Sequence, residues 1–115
     1  MDIVINSNGN NAAIKYNVLS NKQMKKAGFQ RCNNTWWLKK GLGGDVTLNI
    51  IIPVDDGDIH IYTYDEQYMQ GYDYQYVLKV YPNEFSLGIK TKVDDTMEML
   101  IDKGIIYGWK RGDYI

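Results

Sequence analysis

The chain carries one histidine and one cysteine, so the side chains most readily tuned to act as base or nucleophile near neutral pH are scarce. His60 falls between Asp58 and Tyr62, on the side of an alternating stretch expected to face solvent. No serine or cysteine stands at a spacing that would pair with it, so it reads as a surface histidine. Cys32 follows Arg31, whose charge would lower a thiol pKa, but a small buried side chain at a strand end is the simpler role. Neither residue is assigned to catalysis, and the chain is expected not to be an enzyme. A lone cysteine allows no intrachain disulfide and no multi-thiolate metal site, which fits a reducing cytosol.

The run Asp55-Asp56-Gly57-Asp58 offers oxygen ligands at a turn. Counted as a calcium loop from Asp56, however, Ile61 stands where the glycine belongs and Gln67 where the bidentate glutamate belongs, so a solvated hairpin tip is expected and no metal site. Gly41-Leu42-Gly43-Gly44 precedes a strand instead of opening a helix and lacks the Lys-Ser/Thr of a phosphate loop. It reads as a flexible connection. Arg111-Gly112-Asp113 matches an adhesion tripeptide, but a match of three residues occurs by chance. No cofactor is expected.

What remains is binding. The segment from Asp55 to Tyr76 combines Asp55, Asp56, Asp58, Asp65, Glu66 and Asp73 with six tyrosines, Tyr68 and Tyr72 among them. Tyrosine supplies contact area at low entropy cost, and carboxylates engage a basic partner surface, so a protein partner is expected here. The competing role for these rings is to cover the sheet edge and the base of a helix. A second set, Lys25, Lys26, Arg31, Trp37, Lys39 and Lys40, joins cations to an outward aromatic and would suit nucleic acid, phosphates on the cations and a base on the ring. Overall charge runs against that alternative, because the chain is slightly acidic at −1. The charge is unevenly spread: residues 1–40 hold seven Lys/Arg against one Asp, and residues 41–102 hold three Lys against twelve carboxylates.

The elements that must carry these residues are short. Asp2–Ile5 and Ala13–Tyr16 flank a cluster of turn formers at Asn6–Asn11, and together they predict a first hairpin. Ser20, with Gln23 three residues on and Leu19 and Met24 in staple positions, predicts a helix over Asn21–Ala27 stopped by Gly28. Phe29–Cys32, Thr35–Lys39, Val46–Ile52 and Ile59–Tyr64 read as an antiparallel meander with turns at Asn33-Asn34, Gly41–Gly44 and Pro53–Gly57. Alternation puts Val46, Leu48, Ile50 and Ile52 on one face, with Ile59, Ile61, Trp36 and Leu38 matching them on neighbouring strands. Tyr74–Tyr81 fits either period, but Asp73 as a cap and Pro82 as a stop favour a short helix. From Asn83 to Gly104, Ile89, Val93, Met97, Leu100 and Ile101 form a helical stripe, with Asp94, Asp95, Glu98 and Asp102 expected mostly on the other side. Ile105–Trp109 closes the chain as a strand or extended tail.

The expected fold class is therefore α+β: one domain over 1–115, a twisted antiparallel sheet with a short N-terminal helix and a long C-terminal helix on one face. No apolar run reaches the roughly 20 residues of a membrane helix, and the first residues show no basic segment followed by an apolar stretch, so a cytoplasmic protein is expected. Oligomeric state is left open. The stretches DVTLNIIIP, IHIYTYDEQYMQGYDYQ and GIIYGWKRGDYI, all within residues 45–115, are similar to small proteins of unassigned function carried by prophages and mobile elements of low-GC Gram-positive bacteria. That resemblance implies an accessory role in phage–host interaction, and by analogy an inhibitor of a host defence nuclease, as anti-CRISPR proteins are.

Overall fold

A computed structural model describes residues 14–115. The strand expected over 2–5 and the turn cluster after it lie outside the described residues. Strand β1 (Lys15–Tyr16) pairs antiparallel with a strand formed near the other end of the chain, Lys15 opposite Tyr107. Helix α1 (Asn21–Lys26) has the expected capping box: Gln23 N donates to Ser20 Oγ at 3.2 Å and Ser20 N donates to Gln23 Oε1 at 3.3 Å. Met24 is fully buried beneath it. Gly28 then turns the chain at φ +106°, and a Cβ there would lie 3.0 Å from Leu38 Cδ1. Only glycine combines that dihedral with that clearance.

Five strands follow as a meander in sequence order: β2 (Gln30–Cys32), β3 (Thr35–Gly43), β4 (Val46–Pro53), β5 (His60–Asp65) and β6 (Gln70–Gly71). Asn33 makes the first turn in the left-handed region, φ 55°, which asparagine tolerates. The glycine segment departs from expectation. Gly41–Gly43 continue β3, with a bulge between Gly41 and Gly43, and the turn is confined to Gly44 and Asp45. Leu42 accounts for this, because it is buried in the core and carries the strand past the glycines.

The alternation of β3 to β5 is realised: Trp36, Leu38, Val46, Leu48, Ile50, Ile52 and Ile61 are buried on one face. Against that face lies α3 (Glu84–Asp102), with Ile89, Val93, Met97 and Leu100 buried. Its cap is reciprocal, Ser86 N donating to Asn83 Oδ1 at 2.8 Å and Asn83 N donating to Ser86 Oγ at 3.2 Å. Before it, α2 (Tyr74–Val80) is helical, with Tyr76 N donating to Asp73 Oδ1 at 3.0 Å. Tyr74 is buried, whereas Tyr81 is exposed as the C-cap.

Beyond Gly104, at φ +78°, β7 (Ile106–Tyr107) closes the pair with β1. The tail then runs back along α3. Arg111 Nη2 reaches Glu98 Oε1 and Asp95 Oδ1, both at 2.7 Å, and Nη1 lies 3.5 Å from Asp94 Oδ2. Asp94, expected on the outward side of α3, is instead 4% exposed. The reason is that Lys90 Nζ, one turn earlier, sits 2.8 Å from its carboxylate and the tail lies over both. Arg111 and Asp113 of the adhesion-like tripeptide are thus used internally, the latter accepting from Lys110 N at 3.2 Å. No described helix is long and apolar enough to cross a membrane.

Candidate partner-binding surface

The β3–β4 and β5–β6 turns emerge at the same end of the meander. Val46 stands opposite Asp65 across β4 and β5, and Glu66 N donates to Asp45 O at 2.8 Å, so the two turns touch. Asp65 organises its own turn by accepting from Gln67 N at 3.0 Å and Tyr68 N at 3.3 Å. The chain then leaves through Met69 at φ 52°, an uncommon angle for an unbranched side chain. Tyr68 and Met69 project from this turn, 66% and 76% exposed. Phe85, in the first turn of α3, overhangs the sheet end: its ring approaches Gly43 and Gly44 and meets Tyr72 edge-on, centroids 6.3 Å apart. Leu87 on α3, Val80 at the end of α2 and Tyr81 as its C-cap are exposed as well. Burial, with Asp65 as the lesser cause, raises the Tyr72 hydroxyl above the ordinary phenol range.

The expected acidic set is therefore divided. Asp65, Glu66, Tyr68, Tyr72 and Asp73 gather at this end of the sheet. Asp55, Asp56 and Asp58 belong to the β4–β5 loop at the other end of β5, roughly 17 Å away for five residues of extended strand. There Asn34 Nδ2 donates to Asp55 Oδ2, and Tyr16 Oη donates to Gly57 O at 3.0 Å. Asp45, Phe85 and Leu87 were missed. Asp45 was available from the register, since pairing Val46 with Asp65 sets Asp45 beside Glu66. Phe85 continues the Ile89–Val93 stripe back by one turn, to where the helix passes the edge of the sheet.

The basic set is divided as well. Trp37 and Lys39 share the open face of the sheet, opposite the helices, whereas Arg31 and Lys40 have the parity of buried Trp36 and Leu38. The Arg31 guanidinium lies 5.4 Å from the Trp36 ring, and Lys25 and Lys26 stand on α1. On the open face a chain of hydrogen bonds occupies the polar groups. Trp37 Nε1 donates to Asn49 Oδ1 at 3.3 Å, Asn49 Nδ2 to Thr47 Oγ1 at 3.0 Å and Thr47 Oγ1 to Glu66 Oε2 at 3.0 Å. Lys39 Nζ closes it 3.1 Å from the same carboxylate. The bond from Lys39, and after it that from Thr47, hold the Glu66 carboxyl below its ordinary range.

Cys32, expected buried, is exposed, as are all three residues of the edge strand β2. His60 is exposed as expected. Both face the open side, three strands apart, roughly 14 Å by strand spacing. Among the described residues no group of His, Cys, Asp and Glu side chains is placed to hold a metal ion. Comparison of the chain with protein-family models, with curated proteins and with solved structures finds no match.

Proposed function

We propose that the chain is a non-enzymatic accessory protein that acts in the cytoplasm by docking on another protein through the acidic, apolar end of its sheet. One observation carries this reading: of the ten exposed large hydrophobic side chains among the described residues, seven lie between Tyr68 and Leu87. Exposed apolar area gathered in one region and edged with charge is the usual mark of a protein interface. The resemblance to prophage and mobile-element proteins supplies the setting, a host or phage protein as partner. Inhibition of a defence nuclease is a particular form of that role, proposed by analogy with anti-CRISPR proteins.

The separation of His60 from Cys32 supports a role without catalysis, since a nucleophile and its base need hydrogen-bond contact. Nucleic-acid binding draws less support, because the cations proposed for it are distributed over both faces of the sheet and over α1. The test is site-specific photocrosslinking in host cells, with the crosslinker at position 68 and, as a control, at position 22. One protein should be captured from position 68 only and lost in Leu87→Asp, while Lys25→Ala/Lys26→Ala retains it. Equal capture from both positions, or a Leu87→Asp variant that captures normally, defeats the reading.

A further inference from the structure

We infer that the segment recognised at this sheet end is arginine-bearing, with guanidinium groups set between apolar side chains; the inference rests on the docking reading above and specifies what docks. The surface brings carboxylates and exposed rings together through the chain: Asp65 Oδ1 accepts from Tyr68 N at 3.3 Å, Glu84 directly precedes Phe85, and Asp45 follows Gly44, against which the Phe85 ring lies, with Lys92 Nζ near Gly43. None of these three carboxylates forms an ion pair with a described residue. A carboxylate beside an aromatic face attracts a cation that can use both. Guanidinium suits this pairing better than ammonium, because it forks onto the carboxylate, stacks flat on the ring and is less strongly hydrated. A phosphate-bearing strand is repelled by the same groups, and a second copy docking by this face would set carboxylate against carboxylate.

The protein itself uses the same chemistry elsewhere. Lys90 lies 4.8 Å from the Tyr114 ring centroid while its Nζ pairs with Asp94 at 2.8 Å. Arg111 forks onto Glu98 through Nε at 3.0 Å and Nη2 at 2.7 Å. Lys90 is held by a carboxylate and a ring together, and Arg111 by carboxylates alone. The sheet end presents those partners outward.

The test is fluorescence anisotropy with a short labelled peptide that alternates arginine with leucine, its lysine and glutamate counterparts, and a labelled single-stranded RNA. The arginine peptide should bind at least about threefold more tightly than the lysine peptide, and the glutamate peptide and the RNA should not bind. Asp45→Lys/Glu84→Lys should weaken arginine-peptide binding by about tenfold or more, as should Tyr68→Ala, which changes no charge. Asp55→Lys/Asp58→Lys, with the same net charge at the other end, should leave it within about twofold. Equal losses in the two double variants, equal affinity for lysine and arginine, or preferred binding of RNA overturns the inference. Selection from an unbiased peptide library separates it from the docking reading. Peptides without arginine that need Tyr68 leave docking intact and sink the arginine assignment, whereas no peptide sensitive to Tyr68 or Leu87 sinks both.

Discussion

A carboxylate withdrawn from water is tolerated only where cations and donors replace its hydration, and Asp94 meets that condition through Lys90 and Arg111. Removing it strands Lys90, whose side chain is only 16% exposed. Asp94→Ala should therefore lower the unfolding free energy by roughly 2–3 kcal/mol, read as a lower urea midpoint with unchanged slope. An unchanged midpoint would show that the pair is worth no more than a surface one. Glu98 offers a second test, in pH. The bond from Arg111 holds its carboxyl below the ordinary range, so the folded state binds the proton less readily than the unfolded chain. The sign follows: the contribution is present above the unfolded value of about 4.3 and is lost as pH falls through the folded one. Glu98→Gln should flatten the acid limb of the stability profile below about pH 4.3, and a limb that keeps its slope counts against the assignment.

At the scale of elements, the Gly28 turn joins α1 to the sheet. Gly28→Ala forces a Cβ to within 3.0 Å of Leu38 at φ +106°, which should cost roughly 1–3 kcal/mol in a urea titration. Stability within error of the parent would show that the turn relaxes. This joint was legible in sequence, as were the Ser20 capping box, the start of α3 at Asn83 and the alternation of β4, because each is set by neighbours within a few residues. The course of β3 through Gly41 and Gly43 was not, since it depends on Leu42 finding the core. The pairing of β1 with β7 was equally hidden, being a contact between distant segments with no local signature. Of the candidate site, the composition of the Asp65–Asp73 stretch was readable. That Asp55–Asp58 belongs to the opposite end follows only from turning the strand length into distance, and the division of the basic set only from tracking side-chain parity across β2 and β3.

Across the whole molecule, the segment after β7 ties the candidate surface to the core. Arg111 fastens it to α3, Lys90 lies against Tyr114, and Ile115 N donates to Tyr74 Oη at 3.3 Å. Tyr74 is the buried residue of α2, its ring centroid 5.7 Å from that of Tyr114, and α2 bears Val80 and leads to Tyr81 on the exposed apolar surface. A seven-residue helix is too short to hold by itself and depends on such packing. Deleting residues 111–115 should therefore loosen α2 while sparing the meander. Hydrogen exchange is the measurement: amides of α2 should exchange at least about tenfold faster, and those of β3 to β5 should change only by the loss of global stability. Tyrosine ionisation gives an independent readout. Burial pushes the Tyr74 hydroxyl well above the ordinary phenol range, so its contribution to stability is present below about pH 10 and fades as pH rises beyond it. Compared with full-length Tyr114→Phe, which has the same number of tyrosines, the shortened chain should ionise one more tyrosine near pH 10 in the phenolate absorbance. Protected α2 amides together with an unchanged titration would mean that α2 is held by α3 alone, and that the tail only caps it.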